Sequence, residues 1–220
     1  WNWHMQALCD HVQALYEGRL AKNNLLVNVP PGTSKTTIIC VMLPAWVWTN
    51  DPSARGIYIS GSENNTVQSS LKCRDILRSE WYAPFYALNG FQMTQDQDAK
   101  TLFKTTAGGF RQALTCGARI TGARADIIVV DDANDAQMIN SKAYRDKVNY
   151  WWSQAAYNRL NDMRTGKRIN LQQRLHEEDL TGHILDTDPE EWEQIILRQE
   201  LEDGDNERVS SIGWRDPRQN

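Results

Sequence analysis

Two stretches of this chain carry residue types that could do chemistry on a phosphate. The first, residues 25–37, reads LLVNVPPGTSKTT. Its apolar run predicts a buried strand. Pro30, Pro31, Gly32, Thr33 and Ser34 cannot continue that strand, because proline removes ladder donors and glycine relaxes the backbone. Lys35, Thr36 and Thr37 then open an apolar segment, 38–48, long enough for a helix that Pro44 ends or kinks. Strand, tight loop, Lys-Thr and helix is the build of a P-loop. There, backbone N–H groups wrap an anion, the lysine reaches the β- and γ-phosphates of a nucleotide, and the hydroxyl holds Mg²⁺. On that reading Pro31, Gly32, Thr33, Ser34, Lys35, Thr36 and Thr37 bind the phosphates of ATP, and Thr36 also holds the metal. The pattern G-x-x-x-x-G-K-[ST] would put glycine where Val29 and Ser34 stand. An ordinary turn before a helix with a surface lysine is therefore the alternative for this stretch alone.

The second stretch is 127–132, IIVVDD. A continuous β-branched run is the mark of a strand buried on both faces. Opposite a P-loop, its first acid, Asp131, would hold Mg²⁺, and Asp132 would polarise the attacking water. Alone, the pair could equally cap a helix or sit on a solvated turn. Ahead of this strand, a glycine-containing loop carries Arg119 and Arg124. Arginine suits bidentate phosphate contact and spread negative charge. Either could serve a neighbouring subunit as an arginine finger, or be a surface arginine. Arg124, nearer the acidic strand, is slightly preferred. Gln173 follows a further strand, 167–171, where it could sense the γ-phosphate. Gln6 lies on an N-terminal helix, the region from which a glutamine holds adenine in several P-loop motors; an exposed helical glutamine is its alternative.

The elements that must position these residues alternate. A helix over 1–19 presents Leu8, Val12 and Leu15 on one face. A strand at 56–60 and a helix at 63–79 form, with their neighbours, a βαβ unit and so a parallel sheet. Residues 80–91 read as aromatic and irregular, and 92–100 as a polar surface excursion. Two short antiparallel strands with a turn at Gly108 and Gly109 fit 101–116. A helix over 140–160, the strand 167–171, a helix capped by Asp179 and a last strand at 192–197 complete the sheet. Ligands of open α/β sheets sit outside the carboxyl ends of the strands. That rule brings Lys35, Asp131 and Gln173 to one edge. The domain is expected to span 1–200, with 201–220 a polar linker or frayed tail.

The 220 residues suffice for one domain with a sizeable core. A net charge of −4 argues against a protein that coats nucleic acid generally, while leaving room for a local basic groove. The 4 cysteines have neither zinc spacing nor a disulfide framework. No run is long enough to span a membrane. The 9 tryptophans mainly supply core packing, with one or two free for stacking. The chain opens on Trp1 without an initiator methionine, so an excised piece of a longer protein is expected.

In order along the chain, VNVPPGTSKTT, LPAWVWTNDPSARGIYIS, CRDILRSEWY, TGARADIIVVDDAN and QQRLHEEDLTGHIL resemble the ATPase domain of a large terminase subunit. This is the motor that packages DNA into tailed-bacteriophage proheads. The resemblance covers most of 1–200. It implies an α/β P-loop NTPase of the additional-strand (RecA-like, ASCE) type, with a central, mostly parallel sheet flanked by helices. It implies ATP hydrolysis with Mg²⁺, Lys35 and Thr36 on phosphate and metal, Asp131 on the metal side, Asp132 catalytic, and Gln173 coupling hydrolysis to DNA movement. Many relatives carry glutamate where Asp132 stands. The implied partners are double-stranded DNA, copies of itself in a ring on a portal protein, the small terminase subunit and a C-terminal nuclease domain, with no membrane. The place is the bacterial host cytoplasm, at the prohead. The nuclease half of the family is missing here, so this chain is not expected to cut DNA. The alternatives are another nucleic-acid-stimulated motor such as a helicase, for which a second motor domain is lacking, and a nucleotide-binding assembly module without turnover.

Overall fold

The computed structural model of the chain describes residues 2–120 and 122–218, with backbone only for 95–98. Thr121, part of the arginine-bearing loop, lies outside the described residues, as do Trp1 and 219–220.

Eight strands form one sheet in the order β3-β4-β5-β2-β6-β7-β1-β8. They are β1 (Asn24–Asn28), β2 (Arg55–Ser60), β3 (Met93–Asp98), β4 (Leu102–Thr105), β5 (Phe110–Thr115), β6 (Ile127–Asp131), β7 (Lys167–Gln172) and β8 (Trp192–Ile196). From β5 to β8 across the sheet every pairing is parallel. At one edge β4 runs antiparallel to both of its neighbours, β3 and β5. The continuous Leu25-Leu26-Val27 and Ile127–Val130 runs are buried on both faces, as central parallel strands must be. β7 stands between the strand that feeds the lysine loop and the strand that ends in the two acids. That inserted strand is the additional strand expected from the resemblance.

The helices divide between the two faces. On one, α1 (Trp3–Tyr16), the segment Thr37–Met42 running into α2 (Leu43–Trp48), and α3 (Glu63–Arg78) cover β1, β2 and β6. On the other lie α5 (Lys142–Trp151), continued by Trp152–Ala156, and α6 (Leu180–Thr187), whose Leu180 and Ile184 pack with Leu26, Ile128 and Val130. Asp179 caps α6, accepting from the Gly182 N–H at 3.0 Å, as its sequence position predicts.

Pro44 does not end the helix after the loop. Residues Thr37–Met42 widen to π spacing, with Leu43 N–H bonded to Ile38 O, a frequent answer to a break in the i→i−4 ladder. Proline donates nothing to the carbonyl four residues back. That carbonyl, on Cys40, accepts instead from the buried Arg111 guanidinium at 3.0 Å.

Three further stretches differ from the sequence reading. Residues 80–91 contain a short helix, α4 (Ala83–Asn89), ended by Gly90 in the left-handed region. Tyr82, just before it, packs on its Phe85 and Tyr86, so local composition hid a helix made by aromatic packing. The polar stretch 92–100 holds the edge strand β3, which needs no apolar pattern because it has one partner. The segment after Leu201 is docked rather than frayed. Ser210 bonds His11 on α1 at 2.8 Å, Trp214 stacks on Trp3, and Arg218 lies over the same ring while paired with Asp216. Of the tryptophans, Trp48, Trp152 and Trp192 are core and Trp81 is exposed.

Candidate nucleotide site

Parallel register puts Asn28, Ser60, Thr115, Asp131 and Gln172 at one edge of the sheet. The loop after β1 turns there. Gly32 has φ +77° and Ser34 φ +61°, both in the region that glycine enters freely and other residues enter at a cost of about 1 kcal/mol. Ser34 is the position where the usual pattern has glycine, so the backbone keeps the P-loop bend although the residue type has changed. Thr33 Oγ donates to Pro30 O at 2.8 Å and fixes the turn. Lys35 and Thr36 then begin the helix.

Across the edge, Thr36 Oγ1 donates to Asp131 Oδ2 at 2.8 Å, and the Lys35 ammonium pairs with Asp132 Oδ2. Asp131 is 4% exposed, and its Oδ1 has no hydrogen-bond partner. Burial, reinforced by the Asp132 charge, raises its pKa to about 6; Lys35, Thr36 and the neighbouring Cys40 thiol oppose that shift. A buried carboxylate oxygen without a partner, beside a threonine hydroxyl, is a donor set that suits a hard divalent cation such as Mg²⁺. Among the described residues no cluster of three His, Cys, Asp or Glu side chains could hold a metal.

Asp132 stands in the left-handed region, φ +44°. Its backbone N–H bonds Leu171 O at 2.8 Å and its carbonyl accepts from Gly61 N–H at 3.1 Å. Any Cβ on Gly61 would meet that carbonyl at 2.4 Å, so the glycine after β2 is required by close approach. Asp132 Oδ1 accepts from the Gln173 backbone N–H at 2.8 Å. Gln173, expected to sense the γ-phosphate, reaches Asp132 through its main chain.

The remaining candidates spread out. Gln6 sits on the exposed face of α1 and donates to Asp10 at 2.7 Å. Arg119 is exposed and follows β5 on the same edge as Asp131. Its loop is held by Ala118 O, which accepts from Trp151 Nε1 at 2.9 Å. Arg124 precedes β6, at the opposite edge of the sheet, and donates to Leu160 O at 3.1 Å. Sequence reasoning passed over Gly61 and Asn134. Asn134 is buried two residues beyond the acids, and a polar residue at that place was the only signal.

The strand order, with β7 between β1 and β6, is that of the additional-strand P-loop NTPase fold. The chain is similar in structure to the large terminase of bacteriophage HK97, with a TM-score of 0.59 and 10% identity over 94% of this chain and 41% of that one. It is likewise similar to the large terminase ATPase domain of Thermus phage P74-26, with a TM-score of 0.51 and 13% identity over 92% of this chain and 76% of that one. The fold is thus that of large terminase ATPase domains, and the chain spans less than half the length of the HK97 protein. No protein-family model matches the sequence, and no curated protein does. No described helix is long and apolar enough to cross a membrane.

The raised Asp131 pKa has a measurable consequence. Its folded value lies above the ordinary 3.8. The folded chain therefore holds this proton more tightly than the unfolded chain, and the metal-free protein loses the associated stability as pH rises from about 4 through about 6. The carboxylate needed for a cation forms over the upper part of that range. Were Asp131 to hold the Mg²⁺ of a bound nucleotide, that binding should fall steeply below about pH 6, by roughly tenfold at one unit lower. Titrations at pH 7, 6 and 5 in wild type and Asp131→Asn check it. Equal pH dependence in both proteins would place the titration elsewhere.

Proposed function

We propose that this chain hydrolyses ATP as the motor domain of a viral DNA-packaging terminase. The observation that carries the reading is the pairing across β7: Lys35 on Asp132, and Thr36 on Asp131, whose second oxygen is free. ATP phosphates bound in the 31–37 loop would compete with Asp132 for the Lys35 ammonium. Asp132 Oδ2, released from that pair, can accept a proton from a water aimed at the γ-phosphate, while Oδ1 stays on the Gln173 N–H. Thr36 and Asp131 are the residues that would hold Mg²⁺, which would neutralise phosphate charge. Arg119, exposed on the catalytic edge, is better placed than Arg124 to reach a neighbouring copy. Gln6 is kept as the proposed adenine contact.

On this reading the partners are double-stranded DNA, further copies in a ring on a portal protein, the small terminase subunit and a C-terminal nuclease domain of a longer chain. Its place is the prohead in the bacterial cytoplasm, and nuclease activity is not expected of this segment. The segment 201–218 would lead toward that second domain. A helicase-like motor or a non-hydrolysing module has no specific observation in its favour.

Lys35→Ala is the test. Lys35 is almost fully buried and lies between the phosphate loop and the acids, so its loss removes the phosphate cation without opening the core. ATP affinity by calorimetry should fall at least about tenfold, the scale of one charge-assisted bond. Unchanged affinity in a folded variant would rule out the P-loop assignment.

A further inference from the structure

The turn 131–134 is gripped from two sides. Gly61 holds it from β2. On the other side one side-chain oxygen, Asn134 Oδ1, accepts both Gln172 Nε2 at 3.1 Å and Leu180 N–H at 3.0 Å. Gln172 ends β7, and Leu180 is the first residue of α6. Asn134 is 4% exposed and Gln172 1%. The other Asn134 atom, Nδ2, has no hydrogen-bond partner. Its acceptor, and not its amino group, is therefore what the fold uses.

The next residue of β7's exit, Gln173, gives its backbone N–H to Asp132. Two consecutive residues, Gln172 and Gln173, are thus tied to Asn134 and Asp132 respectively. Asp132 has a left-handed backbone, φ +44°, which even Asp enters at some cost. Its position must come from these neighbours.

Resting on the terminase ATPase reading, we infer that Asn134 is a positioning residue for Asp132, locking the catalytic acid to the end of β7 and the start of α6 through its side-chain oxygen. It touches no reacting atom. Its effect falls on the step that needs Asp132 aimed at water, and not on phosphate binding by the loop. The segment 173–179 beyond it is held together as well. Arg174 pairs with the α6 cap Asp179, and its guanidinium also holds the His176 and Glu177 carbonyls.

The experiment compares wild type, Asn134→Ala and Asn134→Asp. Asn134→Ala should lower kcat about 10- to 100-fold, the range of a small misplacement of a catalytic group, with KM for ATP within about twofold. Asn134→Asp keeps the acceptor oxygen and should recover most of kcat. If Asn134→Ala does not fold, Gln172→Leu removes only the β7 donor and should show the same split at smaller size. Unchanged kcat, KM rising in step with the kcat loss, or no recovery in Asn134→Asp overturns the inference. Amide exchange of the Gln173 N–H separates it from the ATPase reading. That amide bonds Asp132, not Asn134, and should exchange faster in Asn134→Ala, or in Gln172→Leu, with β5 amides unchanged. A wild type that binds ATP without turnover defeats the ATPase reading, whereas exchange at Gln173 equal to wild type defeats the positioning role.

Discussion

Asp132→Asn should bind ATP at least as tightly as wild type and lose turnover by about 10²–10⁴, the usual effect of removing a positioned base. The affinity follows from the ion pair. In the free chain, Lys35 is held by Asp132, and a phosphate must displace that carboxylate. An amide removes the competitor, so binding is kept or improved. Turnover is lost because an amide cannot take a proton. The fold should survive: the amide oxygen can still accept from Gln173 N–H, and the side chain is partly exposed, at 39%. Calorimetry and phosphate release on the same preparation give both numbers. Turnover equal to wild type would take the base role from Asp132. Asp131→Asn should behave differently, since Asp131 is the proposed metal ligand: Mg²⁺ dependence of binding should weaken, where in Asp132→Asn it stays.

Much of this site was legible because its residues sit at the ends of elements with strong sequence signals. The 127–130 run could only be a central strand, and it delivers Asp131 and Asp132 to an edge fixed by parallel pairing. The loop before Lys35 was harder. Its pattern lacks glycine at position 34, and only the backbone shows that Ser34 takes the glycine conformation. The separation of Arg119 from Arg124 was illegible. Five residues apart in sequence, they lie at opposite edges because the chain crosses a face of the sheet between β5 and β6. Proximity along the chain suggested Arg124; the register of Thr115 with Ser60 and Asp131 favours Arg119. α4 and β3 were hidden for a related reason. Both depend on contacts with distant residues and carry little periodicity of their own.

Arg119→Ala should reduce turnover of the assembled protein by about 10³–10⁵ while ATP binding by the single chain is unaffected, the scale and signature of a finger supplied in trans. By strand spacing, β5 stands two strands, about 10 Å, from the acidic strand β6, on the side away from β7 and β1. From there an exposed arginine flanks its own catalytic edge and is free to face a neighbour. Arg124 lies beyond the other end of β6 with its guanidinium on Leu160 O, so Arg124→Ala should act on stability and leave turnover within about tenfold, one lost hydrogen bond being worth about 1 kcal/mol. Complementation decides between cis and trans. Asp132→Asn can lend a finger but cannot hydrolyse; Arg119→Ala can hydrolyse but cannot lend. Mixed at concentrations where wild type assembles and turns over, the two inactive proteins should recover activity, up to the fraction of neighbours paired in the productive order. Recovery with Arg124→Ala in place of Arg119→Ala would not arise, because that variant starts active. No recovery in the first mixture, with assembly verified by light scattering, would remove Arg119 from the neighbour's site and leave the intersubunit role without a donor among these two arginines.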